Sequence, residues 1–200
     1  MVNALAKAEL LGVQLVATDT DWASVRSADA HSKIEHRGAS VIGMGTGSNP
    51  GWAQSCGEVC AEVCADALRK ALDNPSFVSI VAGMGGGAGV GASPVIARLA
   101  AEAGVPVAAV VTLPAQWEGP RRDNLAKEGL EALRRETGAV LAVSLVRIQK
   151  EIDGSTPLEK FFDIVQLLLC DCIAFLLGQK DTAEFTGLRI GGLEVITGCN

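Results

Sequence analysis

Seven residues constrain this chain more than any others. Gly85-Gly86-Gly87-Ala88-Gly89-Val90-Gly91 holds five glycines and follows the apolar run Phe77–Ala82. Lacking Cβ atoms, such a run can turn with positive φ and expose consecutive N–H groups. A helix is predicted to open at Ser93-Pro94 and to run to about Ala103, adding the positive end of its dipole. Strand, glycine turn and helix N-terminus together make an anion cradle suited to phosphates. The competing reading is a plain flexible loop. Against it stands Gly43-Met44-Gly45-Thr46-Gly47-Ser48-Asn49-Pro50, which ends another predicted strand, Ala39–Ile42. Two glycine loops at one sheet edge suggest one nucleotide touched from two sides.

Two common nucleotide motifs do not explain these loops. A P-loop needs G-x-x-x-x-G-K-[ST], and no such Lys and Ser/Thr pair follows the glycines. Gly83-Met84-Gly85-Gly86-Gly87-Ala88 fits the loose G-x-G-x-x-G/A pattern, but any dense glycine run does. A dinucleotide fold also wants an acidic residue at the end of the next strand, and that strand ends in Thr112-Leu113-Pro114.

The rest of the chain alternates strand and helix. Residues 1–12 read as an amphipathic helix. Strands are predicted at Val13–Thr18, Ala39–Ile42, Phe77–Ala82, Val105–Thr112, Ala139–Val146 and Gly192–Thr197. Helices are predicted from Asn49-Pro50 to about Leu72, from Ser93 to Ala103, over Arg121–Glu136, and after Pro157. Continuous apolar strands separated by helices imply a parallel sheet covered on both faces, with ligands at the carboxyl ends of its strands.

Composition narrows the function classes. The chain has 200 residues, enough for one domain or at most two, and 48% of them are hydrophobic against 20% charged. That excludes a disordered chain. Aromatic residues make up 4%, with no Tyr, and the net charge is −6, which argues against a nucleic-acid partner or an anionic membrane surface. No signal peptide is recognisable, so a cytoplasmic location and six reduced Cys are expected. Cys56, Cys60 and Cys64 would share one helix face and are read as small packing residues rather than metal ligands. His31 and His36 lie in a polar stretch and are read as solvated. The long apolar run Phe161–Gly178 contains Asp163, Gln166 and Asp171, so it is read as a core helix and not a membrane span.

Five stretches in order then resemble the tubulin/FtsZ family, its FtsZ branch more than eukaryotic tubulin. Ala82–Ala97 resembles the signature loop GGGTG[ST]G. Val16-Ala17-Thr18-Asp19-Thr20-Asp21 resembles the N-T-D loop, and Gly43–Pro50 resembles G-x-G-A-G-x-N-P. Thr112-Leu113-Pro114-Ala115-Gln116-Trp117-Glu118-Gly119-Pro120-Arg121-Arg122 resembles T-x-P-F-x-F-E-G-x-x-R, and Thr156–Phe162 resembles the start of the central helix. The resemblance covers about residues 2–178.

It implies an α/β, parallel-sheet, Rossmann-like nucleotide-binding domain over residues 1–178, ending in a long central helix. Residues 179–200 would hold a catalytic-loop remnant and the start of an otherwise absent second domain. It implies GTP or GDP as ligand, with Mg²⁺ accompanying the phosphates. Gly45, Gly47, Gly85, Gly86, Gly87, Ala88 and Gly89 would bind phosphate. Glu118 would hold the ribose, and Arg122 would reach ribose or phosphate. Asp21, Phe161 and Val165 would lie near the base. The implied partners are a guanine nucleotide and either a second copy or a full-length FtsZ-like protein.

The departures bear on activity. The family's first strand and glycine loop would lie before Met1. Its two signature threonines are Ala88 and Val90 here. Its N-D-K-L segment corresponds to Leu145-Val146-Arg147-Ile148, and the Asn that reads guanine falls on Val165. Loss of polar base contacts should weaken guanine discrimination. The acidic catalytic loop corresponds to about residues 186–191, which carry no carboxylate; Asp181 and Glu184 are the nearby candidates. The resemblance therefore implies a GTP-binding protein of filament formation whose own hydrolysis is weak or lost. The alternatives are a degenerate relative that binds or caps an FtsZ-type filament, and a gene fragment.

Overall fold

The computed structural model describes residues 1–36, 58–59, 61–180 and 193–197. A short helix α1 (Val2–Lys7) precedes β1 (Val16–Asp19), α2 (Trp22–Ser27) and β2 (Ser32–Glu35). β1 and β2 form a parallel two-stranded sheet with Val16 opposite Ser32. After α3 (Ala65–Ala71) come β3 (Val78–Gly83), α4 (Gly87–Glu102), β4 (Val107–Leu113), a 3₁₀ turn (Gln116–Glu118) and α5 (Pro120–Glu136). β5 (Ala139–Ser144), α6 (Leu145–Glu151), α7 (Leu158–Leu176) and β6 (Leu193–Thr197) complete the order. The second sheet has four strands in the order β3-β4-β5-β6. β3, β4 and β5 run parallel, while β6 runs antiparallel to β5.

The alternation of β4 shows why both faces must be covered. Val110 points into one core with Leu141, Val143 and the α7 residues Phe161, Val165, Leu168 and Cys172. Ala109 and Val111 point into the other, with Ile80 and Ala82 of β3, Val90 and Ala97 of α4, and Leu125 and Leu133 of α5. Val110 and Val111 are both fully buried, and each such side chain stabilises the fold by roughly 1.5–3 kcal/mol. A third cluster joins Ile34 of β2 to Ala65 and Leu68 of α3 and to Val95 and Leu99 of α4. It is how the two-stranded sheet packs onto the rest.

Helix ends follow local chemistry. α5 has Pro120 at its start, Asp123 in its first turn and Arg134 and Arg135 in its last, which complements its dipole. α7 starts after Pro157 and buries one face on the sheet. Its Asp171 is neutralised by Lys180 at 2.6 Å, which lets a carboxylate sit in an otherwise apolar helix. Among the described residues no helix is long and apolar enough to cross a membrane.

Several sequence expectations shift. The first strand begins at Val16, not Val13. The chain reverses between Glu9 (φ 49°) and Gly12 (φ 69°), and Leu11 is tied by two backbone hydrogen bonds to the Gln179 side chain. The first helix accordingly stops at Lys7. The predicted start at Ser93-Pro94 is also wrong: α4 begins at Gly87, with Pro94 inside it. Proline's fixed φ is compatible with helical backbone, but the ring removes one N–H donor and crowds the carbonyl one turn earlier, so the helix keeps Pro94 at a cost. The Ser93 hydroxyl donates to the Gly89 carbonyl of the preceding turn. β5 stops at Ser144, whose hydroxyl accepts from Arg147 N–H and caps the unanticipated α6. β2 was also unanticipated. The expected strand Ala39–Ile42, its glycine loop, Cys56 and Cys60 lie outside the described residues. Helix is present at residues 58–59 and 61–63 and again over α3, with the turn at Cys64, whose thiol donates to the Glu35 carbonyl.

His36 corrects the reading of both histidines as solvated. It is fully buried at the carboxyl end of β2. Its N–H donates to the Asp19 carbonyl, its carbonyl accepts from Trp22 Nε1 at 3.0 Å, and its Nε2 shares a hydrogen bond with Thr18 Oγ1. Among the described residues its Nδ1 has no hydrogen-bond partner. His31 is exposed, and its Nδ1 accepts from Leu15 N–H at 3.0 Å.

Burial pushes His36 below its ordinary value of about 6.5, opposed only in part by Asp19. The unfolded chain therefore takes up a proton near pH 6.5 that folded His36 resists. Stability should be full above that pH and fall as the pH is lowered toward the depressed folded value. Urea midpoints measured from pH 7.5 to 5.5 should decline for the wild type and decline less for His36→Gln. Equal slopes in the two proteins would contradict this assignment.

Candidate functional site

The carboxyl ends of β3, β4 and β5 lie on one edge because the strands are parallel and in register, with Gly83 opposite Thr112 and Leu113 opposite Ser144. The ladder extends one residue further, Met84 N–H donating to the Thr112 carbonyl at 2.9 Å. The chain then turns at Gly85, with φ of 99°, a conformation that favours glycine. Gly86 caps α4 in an extended conformation.

Two observations give this turn the geometry of an anion-binding element. First, no side chain caps α4, and its first turn has no acidic residue. The N–H groups of Gly87, Ala88 and Gly89 therefore have no intrahelical partner. A Cβ built on Gly86 would meet no atom of the described residues within 4 Å. Second, the helix starts hard against the strand it follows. A Cβ on Gly89 would fall 2.1 Å from the Gly83 carbonyl oxygen, a distance no side chain tolerates. Glycine at 89 thus permits the close approach that sets the helix dipole at the sheet edge.

The β4 side completes the site. A Cβ on Gly85 would lie 3.0 Å from Pro114 Cγ and 3.4 Å from Arg122 Cβ, so the glycine turn abuts the first turn of α5. Arg122 Nη1 donates to Glu118 Oε2 at 2.6 Å, one helical turn away. The other Glu118 oxygen accepts from Ala115 N–H at 2.8 Å. The carboxylate is thereby fixed, yet retains lone pairs for sugar hydroxyls. The Arg122 side chain is about half exposed and offers further donors.

Beyond Glu118 stands Trp117, whose ring meets Phe161 edge-on with centroids 5.3 Å apart. Phe161 and Val165 are both buried on the sheet-facing side of α7. The structure thus brings together Gly85, Gly86, Gly87, Ala88, Gly89, Glu118 and Arg122, and sets Phe161 beyond them. Asp21 lies two residues beyond the end of β1. It caps α2, accepting from Ala23 N–H and from the Ser24 hydroxyl, and the latter chiefly holds its carboxyl below the ordinary range. Gly45, Gly47, Asp181 and Glu184 lie outside the described residues. Among the described residues no group of three or more His, Cys, Asp or Glu could hold a metal ion. Sequence reasoning quoted Trp117 within a motif but gave it no role; its place beside Glu118 was the available signal.

Known proteins match this chain in sequence and in fold. Residues 5–155 match the model of the tubulin/FtsZ family, GTPase domain. Cell division protein FtsZ 1 of Thermococcus kodakarensis is 32% identical over 172 residues, 86% of this chain and 45% of that protein. An empty FtsZ dimer from M. jannaschii superposes with a TM-score of 0.79 at 30% identity, covering 86% of this chain and 49% of that one. A GTPγS-bound protofilament of CetZ2 from Haloferax volcanii gives a TM-score of 0.74 at 25% identity, covering 96% and 59%. The chain spans about half the length of the FtsZ relatives it matches.

Gly89→Ala tests the close approach. Ala is intrinsically better than Gly in a helix by about 1 kcal/mol. Here the substitution should instead destabilise, by about 1–3 kcal/mol, because the methyl group must displace the Gly83 carbonyl. Urea denaturation decides; an unchanged or raised midpoint would show that α4 does not sit against β3 as described.

Proposed function

This chain belongs to the tubulin/FtsZ family, and from that premise we propose that it binds a guanine nucleotide at the carboxyl edge of β3 and β4 and acts in filament formation of the FtsZ type. The observation that carries the reading is the uncapped start of α4 at the glycine turn, with the Arg122–Glu118 pair beside it. The N–H groups of Gly86, Gly87, Ala88 and Gly89 receive the phosphates. Glu118 accepts from the ribose hydroxyls, and Arg122 pairs with ribose or phosphate. The base points toward Phe161 and Val165. Mg²⁺ accompanies the phosphates and offsets their charge; no metal cluster of the chain's own is needed for that. Gly45 and Gly47 add phosphate contacts. The partner is a second copy or a full-length FtsZ-like protein, and the setting is the cytoplasm.

Hydrolysis by this chain alone is weak or absent. In the family that the chain belongs to, the catalytic loop positions the attacking water with carboxylates, and the corresponding residues 186–191 supply none. One observation favours a second reading, a non-catalytic relative that binds or caps an FtsZ-type filament. Val165 is apolar and buried where a polar reader of guanine is expected, so nucleotide discrimination is relaxed.

Equilibrium titration of the folded chain with GTP, GDP and ATP, with and without Mg²⁺, tests the first reading. Guanine nucleotides should bind. Arg122→Ala should weaken them about tenfold or more, since a charge-assisted hydrogen bond contributes about 1.5–3 kcal/mol. Phosphate release from GTP should stay near background. Failure of all three nucleotides to bind would leave the partner-binding reading in its place, and turnover comparable to an intact family member would refute the loss of hydrolysis.

A further inference from the structure

We propose that the chain associates into a two-fold dimer through the surface where α1 turns back toward β1, the Leu11 side chain of each copy entering a cavity on the other. The cavity measures about 360 Å³. Leu5, Leu10, Val13 and Leu15 give it an apolar wall, and the exposed Glu9 and Asp29 make its lining acidic. Leu11 lies in the chain between two of those wall residues, Leu10 and Val13, and is itself 80% exposed. Knob and hole are therefore neighbours on one patch. A two-fold axis beside them lets each knob fill the other copy's hole, and it closes the assembly at two.

A single exposed leucine is ordinary, but this one is held in place. Its N–H donates to Gln179 Oε1 at 3.0 Å and its carbonyl accepts from Gln179 Nε2 at 2.8 Å, so one side-chain amide grips both backbone groups. Positive φ at Glu9, uncommon for a residue other than glycine, and at Gly12 brings the chain round to present it. The cavity is pre-formed as well. His31 Nδ1 accepts from Leu15 N–H at 3.0 Å, and His31 N–H donates to the Leu15 carbonyl at 2.9 Å. Asp29 N–H donates to Asn3 Oδ1 at 2.8 Å, which ties that side of the cavity to α1. A knob and a hole ordered before they meet lose less entropy on association.

Charge on the patch argues for a second copy of this chain as the occupant. Among the described residues Glu9 and Asp29 make no ion pair, and neither does Lys7, exposed in the last turn of α1 two residues before Glu9. Across the two-fold axis Lys7 of each copy meets the carboxylates of the other, so the patch is complementary to itself. The surface also lies away from the nucleotide edge. Phe161, near the start of α7, meets Trp117 at that edge. Gln179 follows the other end of the same 19-residue helix, roughly 28 Å on at about 1.5 Å per residue. The dimer thus does not depend on nucleotide binding and leaves the carboxyl edge free in both copies.

The test is sedimentation equilibrium of the full chain without nucleotide, at about 1 to 500 µM, a range suited to the weak association of a small interface. The wild type should pass from monomer to dimer and no further. Leu11→Asp should raise the dissociation constant about tenfold or more, because it places a carboxylate in an apolar hole lined by acids. Its urea midpoint should not change, since Leu11 is exposed. Lys7→Glu alone and Glu9→Lys alone should each weaken the dimer, and an equimolar mixture of the two should restore it, because opposite charges then meet at both ends of the axis. A wild type that stays monomeric throughout overturns the proposal and leaves the cavity to a small ligand or another protein. A dimer that Leu11→Asp leaves intact overturns it too, because that dimer forms elsewhere. A mixture no more dimeric than either variant alone contradicts the two-fold pairing of Lys7 with the carboxylates, and the proposal falls with it.

Discussion

The contact between the first turn of α4 and the carboxyl end of β3 is the constraint on which the site depends. Gly89 lies so near the Gly83 carbonyl that no side chain fits between them. That approach sets the helix directly at the sheet edge and leaves the N–H groups of its first turn pointing outward without a capping side chain. It also fixes where Gly85 turns, and so where the β3 side meets Pro114 and Arg122 on the β4 side. Electrostatics then follow from packing. A helix N-terminus, a guanidinium and a carboxylate are placed side by side by the register of two parallel strands.

The core explains why this edge is rigid. β4 lies between β3 and β5 and is buried on both faces, by α7 on one side and by α4 and α5 on the other. The elements that carry the site, α4, the 3₁₀ turn, α5 and the start of α7, are the same ones that cover the sheet. Phe161 shows the coupling most clearly. It belongs to the α7 core cluster and also supports Trp117 at the sheet edge. Function at this edge is therefore hard to alter without touching the fold, except at half-exposed positions such as Trp117 and Arg122.

The four-stranded sheet was legible wherever apolar residues run continuously, as at Val78–Gly83, Val107–Leu113 and Ala139–Ser144, because burial on both faces demands such runs. β2 was not, because Ser32-Lys33-Ile34-Glu35 carries a single apolar residue and owes its place to Ile34 packing on α3 and α4. Ser93-Pro94 misled because proline favours a helix start and is disfavoured in an interior, yet here it sits inside α4; the tight Gly89–Gly83 approach that starts the helix earlier is invisible in a sequence. His36 misled for a similar reason, its burial resting on Trp22 and on the pairing of β1 with β2. At the site, Glu118 and Arg122 were legible as a pair one turn apart. The Trp117–Phe161 contact joins segments distant in the chain and needed the fold to reveal it.

The central claim is that the β3–α4 turn is an anion-binding element. Backbone amide chemical shifts of the isotopically labelled 20.6 kDa chain, followed during titration with GTP, test it most directly. The account predicts that the largest changes fall on the amides of Gly86, Gly87, Ala88 and Gly89, with smaller ones at Glu118 and Arg122. Changes that spare these amides and concentrate on another surface would contradict it.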